Sequence, residues 1–220
     1  METKTITALV YQQNRRHRVD VVLDGAPGFS LAAILAASLT VGQTLTGEAV
    51  AELQRADGRE QAFAQALHFL SFRPRSEAEV RRYLAGRGVD EPDIEAVVER
   101  LLRVGYLDDQ AFASAWVASR SRHRPRSAQA LRYELQQKGI SADIIRPLLA
   151  ELAADELAYA AASHQAARWR QLDARTFRQK MSAYLSRRGF THDVIRTTVD
   201  RLLREGQVDK GDLDQLVDEL

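Results

Sequence analysis

Apolar residues recur along most of this chain with a helical period, and the period is itself repeated at intervals of about 50 residues. Three glycines, Gly88, Gly139 and Gly189, set the register. Eight residues before them stand Val80, Leu131 and Met181, and four before stand Leu84, Leu135 and Leu185. Six after come Ile94, Ile145 and Ile195, and thirteen after come Leu101, Leu152 and Leu202. Positions −8 and −4 share one face of a helix, as do +6, +10 and +13 of the next. Each unit therefore reads as three short helices. Helix A carries an Ala-Phe/Tyr-Ala signature, near 60–72, 108–122 and 155–171. Helix B is expected near 76–87, 127–138 and 174–188. Helix C is expected near 91–104, 142–154 and 192–204. The glycine suits the left-handed residue that closes helix B. Asp90, Ser141 and Thr191, two residues on, are of N-cap type. Ser76 and Glu79 form a capping-box pattern.

The repeats are imperfect. Arg-Pro-Arg-Ser opens helix B at 73–76 and 124–127, but the third unit has Leu-Asp-Ala-Arg-Thr at 172–176. Pro147 falls inside the second helix C, where a kink or a restart is expected. Ahead of the repeats the period changes. Ile6–Tyr11 and His17–Asp24 predict a β-hairpin with Val19, Val21 and Leu23 on one face, and Arg15, Arg16 and Arg18 at or near its tip are open to a partner. Gly25-Ala-Pro-Gly28 reads as a turn, two short helices are expected near 30–38 and 46–56, and Asp57-Gly58 separates them from the first repeat. The tail, Val208–Leu220, spaces Leu213, Leu216, Val217 and Leu220 as a short amphipathic helix would. The expected class is mainly α: three tandem three-helix repeats forming an elongated curved array, behind a small β-hairpin and helical segment. The boundaries are 1–58, 59–107, 108–154, 155–205 and an acidic tail, 206–220.

Composition narrows the chemistry. The 220 residues include no cysteine, which leaves no disulfide, thiolate metal site or cysteine nucleophile. Five scattered histidines (17, 68, 123, 164 and 192) offer little to a metal. The apolar runs are short for a bilayer span, and Met1–Thr7 lacks the apolar core of a signal peptide. A soluble cytoplasmic protein without membrane association, metal or cofactor is expected. Net charge is only +1, yet it is unevenly placed: residues 206–220 hold one lysine against five acids. Two stretches hold no acid at all. Arg120, Arg122, Arg124, Arg126 and Arg132 lie between Asp109 and Glu134, and Arg175, Arg178, Lys180, Arg187 and Arg188 lie between Asp173 and Asp193. Such runs suit a polyanion or an acidic protein groove. Arginine outnumbers lysine 27 to 4, and its planar fork binds phosphate and carboxylate in two-pronged fashion.

Catalytic patterns are absent. There is no phosphate-cradling glycine loop, no Gly-x-Ser-x-Gly elbow and no His-x-x-x-His pair. The adjacent acids Asp108 and Asp109 stand at a helix start, where they serve the cap and the dipole. A binding protein is therefore favoured over an enzyme.

The order of motifs is specific. Ala-Leu-His-Phe-Leu-Ser-Phe-Arg-Pro-Arg-Ser-Glu-Ala-Glu-Val-Arg-Arg-Tyr-Leu (66–84), with Val97–Ala113, resembles the first repeat of the RecX family, bacterial regulators of the recombinase RecA. The second Arg-Pro-Arg-Ser with Leu131 and Lys138-Gly139-Ile140 is similar to that family's second repeat. Tyr184–Phe190 with Val194-Ile195 is similar to the third. The likeness covers about 60–205, and the N-terminal hairpin with Gly42-Gln-Thr-Leu-Thr looks like the longer members.

The resemblance implies a non-enzymatic, monomeric negative regulator of RecA in recombinational DNA repair and the SOS response. Family members bind RecA and its nucleoprotein filament, and inhibit filament growth, ATP hydrolysis, strand exchange and co-protease activity. They do so by lodging in the filament groove or blocking its growth, and some bind single- or double-stranded DNA directly. Arg120, Arg122, Arg124, Arg126, Arg168, Arg170, Arg187 and Arg188 are the leading candidates for ionic contact with filament carboxylates or DNA phosphates. Arg73, Arg75, Arg81 and Arg82 follow, because Glu77 and Glu79 are placed to pair with them. Trp116 and Trp169 fall at core spacing. Two readings stay open beside this one: a sequence-independent DNA-binding protein of three-helix modules, and a helical scaffold whose arginines are incidental.

Overall fold

Strand-forming residues at the N-terminus build more than the expected hairpin. In the computed structural model, which describes residues 3–13 and 15–217 (the backbone alone at 15, 16 and 207–217), the first segment is a four-stranded antiparallel sheet of order β3-β2-β1-β4. Its strands are β1 (Thr3–Gln12), β2 (Arg15–Leu23), β3 (Ala26–Ala32) and β4 (Thr44–Thr46). The sharp reversal between β2 and β3 is made by Asp24 and Gly25, both left-handed at φ 52° and 79°, so the turn ends before Pro27 and Gly28, which belong to β3. The helix expected near 30–38 shrinks to α1 (Ala33–Ala36). Val19, Val21 and Leu23 do share the buried face, with Ile6, Leu31 and Leu45. The side chains of Arg15 and Arg16 lie outside the described residues.

The larger correction concerns the next element. Asp57-Gly58 does not end a helix. One continuous helix, α2 (Gly47–Ser71), runs through both residues. Its first turns cover the sheet through Ala49, Val50 and Leu53. Its last turns place Ala62 and Ala66 in the core of the first repeat. Asp57 is drawn inward by Arg18, whose Nη1 reaches both carboxylate oxygens at 2.9 and 3.0 Å. The Ala32 amide and Gln61 Nε2 donate to the same carboxylate at 2.6 and 2.7 Å. A residue type that ends helices when solvated is here consumed by tertiary partners.

The three-helix units follow. The first uses the end of α2 with α3 (Glu77–Ala85) and α4 (Glu91–Arg103). The second is α5 (Asp109–His123), α6 (Ala128–Gln137) and α7 (Ala142–Ala150). The third is α8 (Ala154–Trp169), α9 (Ala174–Ser186) and α10 (His192–Val217). Among the described residues the tally is ten helices and four strands. The chain forms two units, Met1–Leu107 and Asp108–Leu220. Each three-helix repeat has its own apolar cluster. The −8, −4, +6 and +10 positions are buried in all three.

Each turn glycine is left-handed, Gly88 at φ 79°, Gly139 at 81° and Gly189 at 85°. The following amide bonds back to the −4 leucine carbonyl: Val89 to Leu84 at 3.2 Å, Ile140 to Leu135 at 3.1 Å, Phe190 to Leu185 at 3.3 Å. These six-residue closures are Schellman motifs, and their +1 residues pack on the adjoining core. Ser76 and Glu79 complete the capping box. Ser127, Asp108 and Asp173 cap α6, α5 and α9 through their side chains. Asp90 and Ser141 occupy N-cap positions but make no side-chain cap bond.

Pro147 neither breaks nor restarts its helix: α7 runs through it. The carbonyl deprived of its donor is that of Asp143, in a solvent-exposed first turn where water can serve it. The helix does end at Ala150, short of the expected 154, so Leu152 is only partly buried and touches the clusters of both the second and third repeats. At the far end α10 continues as backbone to Val217, past the expected 204. The side chains that carry the apolar spacing read in the tail lie outside the described residues.

Gly189 also faces a close neighbour. A Cβ there would lie 2.7 Å from Ser127 Oγ and 3.2 Å from Ala130 Cβ, whereas one at Gly88 would meet nothing within 4 Å. Gly88→Ala is expected to cost only the left-handed backbone penalty, roughly 1–2 kcal/mol. Gly189→Ala should cost clearly more, because α6 must also give way. Urea unfolding of the two variants checks the order.

Candidate anion-binding surface

The twelve arginines singled out by sequence divide sharply once their surroundings are known. Four are held by carboxylates. Arg73 makes a two-pronged pair with Glu79, at 3.0 and 3.2 Å. Arg81 bridges α3 and α4, bonding Glu77 at 2.7 Å and Glu95 at 2.8 Å. Arg120 donates through Nε to Glu134 Oε2 at 2.8 Å, and Arg126 Nη1 lies 3.0 Å from Glu134 Oε1. Two more lie over rings: Arg75 is 3.9 Å from the centroid of Phe69 and Arg188 is 4.1 Å from that of Tyr184. Both of these bury an Nε without a hydrogen-bond partner among the described residues. The remaining six, Arg82, Arg122, Arg124, Arg168, Arg170 and Arg187, are exposed. Among the described residues none of the six meets a carboxylate. Arg82, Arg122 and Arg170 bond only backbone carbonyls of their own helices.

The second unit brings two basic loops together. The Ser127 amide donates to the Arg188 carbonyl at 3.1 Å, which docks the turn after α9 against the start of α6. Arg122, Arg124 and Arg126 lead into Ser127, and Arg187 and Arg188 lead into Gly189. The two acid-free stretches of sequence thus meet at one junction, with Arg122, Arg124 and Arg187 facing no carboxylate among the described residues. Arg168 and Arg170 sit at the end of α8, and among the described residues no hydrogen bond or ion pair ties them to this junction.

Two groups at the site escaped sequence reasoning. One is the register position just before each turn glycine, where the sequence candidates include Arg188 but neither Arg87 nor Lys138. All three cations lie over a ring: Arg87 over Tyr83 at 5.0 Å, Lys138 over Trp116 at 5.1 Å and Arg188 over Tyr184 at 4.1 Å. The glycine register already contained this signal at −1. The other is Glu134, only 14% exposed, which also accepts from Trp116 Nε1 at 2.8 Å. Trp116 and Trp169 are partly buried against their repeat cores, so both are packing residues.

Several carboxylates are held below their ordinary range. For Glu95 the cause is the Arg81 hydrogen bond. For Asp173 it is the Thr176 amide. For Glu205 it is Tyr159 Oη and then Arg201. A carboxyl with a depressed folded pKa contributes stability above its unfolded value, and that contribution fades as pH falls through the folded value. Stability should therefore be flat near neutrality and decline below about pH 4. Glu95→Gln or Asp173→Asn should each reduce that decline slightly, since both groups are solvent-accessible. Circular dichroism of urea unfolding at stepped pH checks this.

No described helix is long and apolar enough to cross a membrane, and no cluster of metal-ligating residues is present among the described residues. Fold and surface together define a class: a tandem three-helix repeat protein with an arginine-lined junction between its second and third repeats. Comparison with known proteins makes this specific. Models of the first, second and third three-helix domains of RecX match residues 62–101, 108–149 and 153–199. The regulatory protein RecX of Geobacillus kaustophilus is 32% identical over 202 residues, 89% of this chain and 75% of its own. That of Bacillus subtilis is 30% identical over 209 residues, 93% of this chain and 79% of its own. That of Geobacillus thermodenitrificans is 35% identical over 160 residues, 71% of this chain, and the match spans 60% of its length. A crystal structure of regulatory protein RecX superposes with a TM-score of 0.74 at 26% identity, covering 90% of this chain and 99% of that one. The chain belongs to the RecX family of regulatory proteins.

Proposed function

We propose that this chain is a monomeric, cytoplasmic, non-enzymatic negative regulator of RecA. It binds RecA and its nucleoprotein filament, and holds back filament growth, ATP hydrolysis, strand exchange and co-protease activity. Family membership supports the regulatory role. The observation that carries the contact surface is the junction where, among the described residues, Arg122, Arg124 and Arg187 meet no carboxylate while Arg120 and Arg126 are neutralised by Glu134. Long-range attraction draws unpaired exposed arginines to a polyanionic filament. Contacts at several sites of one filament would reinforce one another through effective concentration. The first unit adds exposed apolar side chains suited to a protein surface, Phe72 at 71% and Tyr106 at 60% exposure.

The test is a titration into RecA on single-stranded DNA, reading ATP hydrolysis. Inhibition at substoichiometric amounts supports this reading. Binding to single-stranded DNA alone that falls steeply with salt, without effect on RecA, would instead favour the sequence-independent DNA-binding protein.

A further inference from the structure

The second repeat differs from the other two at one register position, five residues before the turn glycine. The first and third repeats carry Tyr83 and Tyr184 there; the second carries Glu134. Around Glu134 three donors converge on two oxygens. Oε2 accepts from Arg120 Nε and Trp116 Nε1, both at 2.8 Å, and Oε1 faces Arg126 Nη1 at 3.0 Å. Arg120 also lies over the Trp116 ring at 4.6 Å, and Lys138 lies over it at 5.1 Å. The counterpart of Arg120 in the first repeat is Phe69, which stacks on Tyr83 with centroids 4.1 Å apart and planes within 1°. An apolar stack in one repeat is thus replaced by an ionic cluster in the next.

That cluster adjoins the junction described above, because Arg126 immediately precedes Ser127, which bonds Arg188. Arg126 remains 43% exposed while Glu134 is mostly covered. An anion arriving from solvent meets Arg126 first and competes with Glu134 for it. We propose that Glu134 is a built-in counter-ion that occupies a phosphate subsite formed by Arg120 and Arg126, and so sets how strongly the junction grips a nucleic-acid backbone. This rests on the functional reading above and assigns phosphodiester oxygens to this part of the surface. A protein partner is the poorer fit, since among the described residues of the second unit Tyr133 alone is a large exposed apolar side chain, and protein interfaces need apolar anchors at their centre. Glu134 acts through the two arginines and is a specificity-determining residue, not a direct contact.

The experiment compares wild type with Glu134→Gln, binding a labelled single-stranded oligonucleotide across a salt series. Glutamine keeps an acceptor for Trp116 and removes the charge. Affinity at low salt should rise about tenfold, and the slope of log affinity against log salt should steepen by about 0.7 for each arginine released. Glu77→Gln, which removes one of two carboxylates from Arg81 in the first repeat while Glu95 still holds it at 2.8 Å, should change neither. Should glutamine compromise folding, Glu134→Tyr restores the side chain of the sister repeats and carries the same expectation. Unchanged affinity and slope in a folded variant overturn the proposal. So does a gain in binding to poly-glutamate larger than the gain for the oligonucleotide, because the subsite would then serve carboxylates. Wild-type inhibition of RecA is measured alongside. Its absence would overturn the regulatory reading, while the salt comparison would still decide the role of Glu134.

Discussion

Asp57→Ala is expected to cost about 3–5 kcal/mol, the range for removing one partner of a buried ion pair. The substitution leaves the Arg18 guanidinium, whose side chain is 15% exposed, without its counter-ion. It also strips an acceptor from the Ala32 amide in β3 and from Gln61 in the next turn of α2. Among the described residues Arg18 would retain only Ser30, through Nε to the hydroxyl at 3.2 Å and Nη2 to the carbonyl at 2.8 Å. Against a typical domain stability of about 5–15 kcal/mol, that loss should release the sheet from α2. Hydrogen exchange at β2 and β3 should accelerate, and the urea midpoint of the first unit should fall. The double variant Arg18→Met with Asp57→Leu should recover most of the loss, because apolar replacements of a buried pair are often neutral. If Asp57→Ala unfolds within about 0.5 kcal/mol of wild type, as an ordinary surface substitution does, the ion pair is not what joins the sheet to the helix.

The same residue shows where the sequence could and could not be read. The helical triplets were legible because a left-handed glycine and its −4 leucine are local requirements, and Gly88, Gly139 and Gly189 announce them in order. Asp57-Gly58 has the local signature of a turn, and its distant partners, Arg18 39 positions away and the Ala32 amide 25 away, keep it in the middle of a helix. Strand β4 was equally hidden: three residues, Thr44–Thr46, pair with Thr3–Thr5 and carry almost no periodic signal. The surface behaves likewise. Counting arginines locates both basic loops, and of the four arginines near Glu77 and Glu79 the structure pairs Arg73 with Glu79 and Arg81 with Glu77 but, among the described residues, leaves Arg75 and Arg82 without either acid. Nothing local showed that Glu134 would neutralise Arg120 and Arg126 together, or that Ser127 would meet Arg188 across 61 positions. Charge runs reveal where cations are, and tertiary contacts decide which remain available.

That distinction fixes the second prediction. Reversing Arg122, Arg124 and Arg187 together to glutamate should leave the fold intact, because none of the three makes a side-chain ion pair among the described residues and surface changes of this kind usually fall within about 0.5 kcal/mol each. Binding to the RecA filament should weaken by roughly 100-fold or more, since three ionic contacts of about 1 kcal/mol each are lost and like charges are introduced. Inhibition of RecA's DNA-dependent ATPase should shift to correspondingly higher protein concentrations. Arg73→Glu is the informative contrast. This arginine is engaged by Glu79, so its reversal places like charge against a mostly buried carboxylate and should lower the unfolding midpoint more than it lowers filament affinity. A folded triple variant that inhibits RecA as well as wild type would remove the junction from the contact surface and move attention to the exposed apolar side chains of the first unit.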